Sequence, residues 1–137
     1  MKKLLIITVL LLFAGIAFGQ TLKKGAVAAV QELTVTLDPD VTMNQYLDFY
    51  KNKFIPAIEK AYQGSKGFLL KGDRGQLKNK IGGIWYFESA ELRDKYWDSE
   101  GQATELGTAA AEKIAPIAEE LQKLGETTWK YTDWIIL

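Results

Sequence analysis

A ferredoxin-like α+β domain, β-α-β-β-α-β, is what the order of periodicities in this sequence predicts. Three observations predict it. A run with period-2 alternation leads into a capped amphipathic helix. Two short β-rich runs joined by a polar loop come next. A second helical region then ends at an aromatic, β-branched terminal segment. In this motif a four-stranded antiparallel sheet carries both helices on one face.

The first strand is Gly25–Leu37. Val27, Ala29, Leu33, Val35 and Leu37 share one side, and Ala28, Val30, Glu32, Thr34 and Thr36 the other. That alternation describes a strand with one strongly apolar face. Gln31 is the odd polar member of that face. Asp38-Pro39-Asp40 ends the strand in turn chemistry. Thr42 and Gln45 match a capping box, and Met43, Tyr46, Leu47, Tyr50, Phe54, Ala57, Ile58 and Ala61 follow at helical spacing to Gly64. Pro56 removes a backbone donor and crowds the preceding turn, so the helix is expected to kink.

Gly67–Lys71 reads as the second strand, Gly72–Asn79 as a polar loop and Lys80–Glu88 as the third strand. Ser89 then caps a short helix running to about Asp98, and Glu91 and Lys95 make an ordered i,i+4 pair. Gly101 interrupts. A longer helix spans Thr104 to Leu124, contains Pro116 and stops at Gly125. Thr127–Leu137 is the last strand. Its Trp129, Tyr131, Ile135 and Leu137 oppose Trp134 and Ile136, while Ile84 and Tyr86 oppose Trp85 and Phe87 in the third strand. Large side chains therefore fall on both faces of the sheet. An apolar patch of more than a few hundred Å² marks an interaction surface, and the expected partner is a second copy packed face to face in a homodimer.

Residues 1–19 read as a signal peptide: Lys2 and Lys3 precede the apolar run Leu4–Phe18, and Ala17-Phe18-Gly19 offers small residues before Gln20. The run falls short of the roughly 20 residues that span a bilayer. The expectation is a single domain over residues 20–137, periplasmic or secreted, with no membrane attachment after cleavage. The chain has no cysteine, so neither disulfides nor a lipidated cysteine can serve it.

Composition excludes more. Lys plus Arg and Asp plus Glu both number 17, so no basic surplus marks a nucleic-acid partner. Without histidine or cysteine, no Ser-His-Asp or Cys-His nucleophile can form, nor a zinc, copper or haem site built on those ligands. No metal and no cofactor is expected. Gly72-Asp73-Arg74-Gly75 lacks the Lys-Ser/Thr of a phosphate loop and sits in a hairpin rather than before a helix.

The stretch Tyr86-Phe87-Glu88-Ser89-Ala90-Glu91-Leu92-Arg93-Asp94-Lys95-Tyr96-Trp97, taken with the element order and the bent first helix, resembles the dimeric α+β barrel superfamily. The likeness is to its antibiotic-biosynthesis-monooxygenase-like and NIPSNAP-like branches, and to small exported bacterial members of unassigned function. It covers nearly all of the mature chain and is chiefly topological. The resemblance implies a dimeric barrel but no single activity, because the superfamily includes cofactor-independent oxygenases, haem-degrading oxygenases, isomerases and proteins with none known. The haem-degrading members use a histidine ligand, which this chain lacks. The cofactor-independent oxygenases use Trp, Asn, Tyr and Arg around an aromatic substrate. Trp85, Asn79 and Arg74 are of those types, but no role is carried over to them.

Candidate ligand contacts are Gln31, Tyr46, Tyr50, Trp85, Trp129 and Tyr131, facing a pocket between sheet and helices that takes a small apolar or aromatic molecule. Alternatives stay open for each. Gln31 fits a bulge or a pairing with Tyr46 or Tyr50, and the tryptophans fit ordinary core or interface packing. Glu32 lies on the opposite face, where a solvated or interface carboxylate is a more natural reading than a general base. Two functions follow: a non-enzymatic binding or interaction module, or a cofactor-independent monooxygenase or isomerase acting on an aromatic substrate.

Overall fold

Residues 22–137 are described by the computed structural model, so the signal-peptide expectation for residues 1–19 lies outside the described residues. Strand β1 (Val27–Leu37) leads into helix α1 (Met43–Phe49), a π-helical turn (Tyr50–Phe54) and helix α2 (Ile55–Ala61). Strands β2 (Ser65–Lys71) and β3 (Ile81–Phe87) follow, then helices α3 (Ala90–Asp94) and α4 (Glu105–Gln122) and strand β4 (Gly125–Ile135). The sheet order is β2-β3-β1-β4, antiparallel at every pairing. This is the expected ferredoxin-like arrangement.

Local chemistry explains the helices. Thr42 closes the capping box: its hydroxyl accepts from the Gln45 N–H at 3.3 Å and its own N–H donates to Gln45 Oε1 at 2.8 Å. The expected kink at Pro56 takes a particular form. The chain widens into the π turn just before it, the Ile55 N–H donates to Tyr50 O, and Pro56 enters the first turn of α2, where a missing donor costs least. Ser89 and Thr104 cap α3 and α4 by accepting from Leu92 N–H at 3.1 Å and Gly107 N–H at 3.1 Å.

Register decides which side chains meet the helices. Across the helix-facing side run the rows Ser65–Phe87–Val27–Ile135, Gly67–Trp85–Ala29–Asp133, Leu69–Gly83–Gln31–Tyr131 and Lys71–Ile81–Leu33–Trp129. Two cores form on that side. One gathers Val27, Ala61, Tyr62, Phe87, Tyr96 and Ala110, and the other Leu33, Tyr46, Tyr50, Ile55 and Leu121. Trp85 touches both. Trp97 stacks on Tyr62 with ring centroids 5.0 Å apart and edges onto Phe87 at 6.0 Å, which ties the α3–α4 connection to the first core.

The opposite side of the sheet carries Val30, Phe68, Leu70 and Trp134, all exposed, Trp134 by 61%. Ile84 and Tyr86 lie between them, and Glu32 stands opposite Lys130 in the same face. No helix among the described residues covers it; at its margins the Lys23 N–H donates to the Tyr86 hydroxyl at 3.2 Å and Leu77 lines a shallow depression with Val30 and Trp134. The helical layer also stops short of β4, where Trp129 and Tyr131 point to the helix side yet remain 60% exposed.

One close approach fixes how α4 meets the preceding connection. A Cβ at Gly107 would stand 2.1 Å from the Tyr96 carbonyl oxygen. Alanine there gains about 1 kcal/mol of helix propensity, but the backbone oxygen cannot move aside as a flexible side chain would. Gly107→Ala is therefore expected to lower the urea unfolding free energy by about 1–2 kcal/mol. A gain in stability would contradict the contact.

Candidate functional site

Between the two cores lies a cavity of about 560 Å³ that opens toward β4. Its floor is Ala29, Gln31 and Leu33 of β1, Trp85 and Phe87 of β3, and Thr127, Trp129, Tyr131 and Asp133 of β4. Its roof is Tyr50, Phe54, Ile58 and Tyr62 from the first helical stretch, with Ile114 and Leu121 of α4. Small residues make the hollow. Ala29 occupies the centre of the floor, and Gly83 in the next row has no side chain to raise it. At Gly67 a Cβ would fall 2.4 Å from the Trp85 ring, so that glycine lets the indole lie flat across β2 instead of standing in the hollow.

Five of the six sequence-predicted contacts meet in this one space: Gln31, Tyr50, Trp85, Trp129 and Tyr131. Tyr46 does not line it. That ring is fully buried in the second core, and its hydroxyl bonds Thr127 Oγ1 at 2.5 Å, so it braces a residue of the floor from behind. Gln31 makes no side-chain hydrogen bond among the described residues, leaving its amide free toward the cavity, and it pairs with neither Tyr46 nor Tyr50. Glu32 lies on the other face. Asn79 and Arg74 stay in the β2–β3 loop, Asn79 with φ of 65° and Arg74 beside Asp73.

Sequence reasoning missed the polar end of the site. Arg93 of α3 reaches across the start of β1 to Asp133 of β4 and also bonds Asp94 at 2.6 Å. Burial alone would lower the guanidinium pKa, but the two carboxylates outweigh it and raise the value. Arg93 is thus a neutralised strap at one end of the cavity, with Asp98 also in its lining. Asp133 was legible in principle, because it interrupts the apolar face of β4 as Gln31 interrupts that of β1. Ser65, also in the lining, carries no such signal: it falls outside the expected second strand. Among the described residues no group of three or more acidic side chains is placed to hold a metal ion.

Burial protects the phenols. Desolvation raises the pKa of Tyr46, Tyr62 and, most strongly, Tyr50, the last of these helped by its neighbour Tyr46. These hydroxyls stay protonated at neutral pH, and that of Tyr46 bonds Thr127 Oγ1.

No protein-family model and no curated protein matches the chain. Solved structures do. A NIPSNAP family protein from Agrobacterium tumefaciens is 12% identical with a TM-score of 0.54, over 87% of this chain and 92% of that one. The chain shares that protein's fold, a ferredoxin-like α+β domain. SnoaB, a cofactor-independent oxygenase from Streptomyces nogalater, is 14% identical with a TM-score of 0.46, over 79% of this chain and 91% of that one. A dimeric protein of unknown function and ferredoxin-like fold from Bacteroides fragilis is 14% identical with a TM-score of 0.43, over 82% of this chain and 98% of that one.

The raised tyrosines set a pH dependence with a definite sign. Above the ordinary phenol pKa of 10.0 the unfolded chain loses protons that the native state keeps, so stability falls as pH rises. Each fully protected phenol contributes about 1.4 kcal/mol per pH unit to that fall. Urea midpoints at pH 9 and pH 11 are expected to differ less in Tyr50→Phe than in the wild type. An unchanged difference would show that Tyr50 ionises freely in the folded protein.

Proposed function

We propose that the protein is an exported, dimeric barrel that binds a small aromatic molecule in the cavity between sheet and helices. The cavity itself is the observation that carries this reading. An open cavity of about 560 Å³ is in the size range of sites that take a small organic molecule. Eight of its lining residues are aromatic, and the charged ones gather at the Arg93–Asp133 end, which suits a flat, largely apolar ligand.

Binding is favoured over catalysis by the state of the polar groups. The cavity's buried phenols are held neutral, and the Asp133 carboxylate is engaged by Arg93. Pairing of two copies is supported by the open face, where Val30, Phe68, Leu70 and Trp134 form an unroofed apolar field. A stable interface buries about 800 Å² on each partner, and two sheets packed face to face would cover that field. Export is supported by the composition of residues 1–19.

Fluorene, a neutral three-ring hydrocarbon, is a suitable probe, followed by quenching of tryptophan fluorescence. Saturable binding of one molecule per chain is expected. Ala29→Leu fills the centre of the floor and should weaken binding at least tenfold while the thermal midpoint holds. Unsaturable binding, or binding indifferent to Ala29→Leu, would place the ligand elsewhere. Light scattering at micromolar concentration should give twice the mass of one chain, and a single-chain mass would defeat the pairing. Oxygen-dependent conversion of the probe would transfer the reading to catalysis.

A further inference from the structure

Of the three β1 residues in the cavity floor, Ala29, Gln31 and Leu33, only Gln31 is polar. Its row places it between Gly83 of β3 and Tyr131 of β4. Gly83 has no side chain, and the Gln31 amide takes the room that this leaves: its Oε1 is 3.9 Å from where a Gly83 Cβ would stand. That position is on the helix side of the sheet, so the amide lies over the cavity floor. The side chain is half-buried and, among the described residues, makes no hydrogen bond. Nor is it sealed off. The buried, unpartnered side-chain polar atom among the described residues is Ser65 Oγ, so both ends of the Gln31 amide stay accessible. A valine would suit a half-buried strand position better. An open amide in an apolar floor is instead a place where a bound molecule is oriented and selected.

We propose that Gln31 selects the ligand by its edge, pairing with an aromatic lactam or cyclic imide whose ring N–H stands directly beside its C=O. This rests on the reading of the cavity as a binding site and adds the class of ligand. A primary amide holds an acceptor and a donor side by side. Before binding, both are hydrated. A ring that fills the hollow displaces water from both at once, and a polar group then left without a partner weakens binding. A ketone satisfies only the Nε2 donor and strands Oε1. A carboxylate does the same and sets its negative charge against Oε1, in a lining that already holds Asp98 and Asp133. An ammonium satisfies only Oε1. A cis N–H/C=O edge meets both ends with two parallel hydrogen bonds, and it does so whichever way the amide is turned. The flat body of the same molecule suits the aromatic walls around it.

The test uses two isomers, 2-quinolone and 4-quinolone, with fluorene as the reference that carries no polar group. The isomers have the same atoms, but 2-quinolone holds its N–H beside its C=O and 4-quinolone holds them at opposite ends of the ring. Each buried hydrogen bond is worth about fivefold in affinity. Wild type should therefore bind 2-quinolone about tenfold more tightly than 4-quinolone, and about fivefold more tightly than 1-methyl-2-quinolone, which lacks the donor. Gln31→Met keeps the size of the side chain and loses both polar groups. It should reduce the ratio of 2-quinolone to 4-quinolone affinity by about fivefold or more. It should leave fluorene affinity unchanged, which also shows that its cavity is intact. If fluorene binds wild type but the isomers bind it equally, the role of Gln31 is refuted while the cavity stands. The same holds if Gln31→Met binds fluorene and keeps the full isomer preference. Should Gln31→Met fail to fold, the wild-type comparison with 1-methyl-2-quinolone decides: a preference for the unmethylated ring supports the paired edge, and equal affinity refutes it. If neither fluorene nor either quinolone binds, the cavity reading falls and this inference with it.

Discussion

A sheet with helices on one face must dispose of its apolar surface on two sides with cover for only one. That constraint governs this protein. Its strands place large residues on both faces, and its helical layer leaves Trp129 and Tyr131 of β4 60% exposed on the helix side. The surplus on the helix side is held apart from the roof by small floor residues and becomes the walls of a cavity. The surplus on the far side stays as an exposed apolar field. Burial of apolar area at about 25 cal/mol per Å² favours covering either surplus.

The cavity exists because packing is interrupted at particular places, not because packing is poor. Each of the two cores is dense with aromatic contacts: Tyr62, Tyr96 and Trp97 at one end, and Tyr46, Tyr50 and Phe54 at the other. Between them Ala29 and Gly83 withhold volume from the floor, and Gly67 lets Trp85 lie down rather than plug the space. The π turn at Tyr50–Phe54 belongs to the same design, because it holds the Tyr50 and Phe54 rings over the floor just before Pro56.

Most of the architecture was legible because it rests on short-range rules. Alternation in β1, the Thr42–Gln45 box, the Ser89 cap and the Gly101 break each have a local physical cause, and each stands close to where the residues put it. Strand ends moved by a few residues: β2 begins at Ser65 and β4 at Gly125, since pairing with Phe87 and Leu37 extends them beyond what their own composition requests. The site was half legible. Gln31 announced itself as a polar residue on an apolar face, and Trp85, Trp129 and Tyr131 as rings the helices could not all cover. Tyr46 shares their periodicity but sits one layer too deep, and no periodicity distinguishes a ring that lines a hollow from one that backs it. Arg93 and Asp133 meet only through the register of β1 against β4 and the direction of α3, which are tertiary facts. Ser65 fell outside the expected second strand, and its pairing with Phe87 includes it.

The assignment of two surfaces to two tasks is tested most directly by 5-fluorotryptophan labelling and fluorine NMR, with the resonances of Trp85, Trp97, Trp129 and Trp134 identified by single Trp→Phe substitutions. The account predicts that added fluorene shifts Trp85, Trp97 and Trp129, which line the cavity, while Trp134 responds to dilution of the protein and not to the probe. A spectrum in which the probe moves Trp134 alone would contradict it, because the ligand would then lie on the open face of the sheet and the interior hollow would have no part in binding.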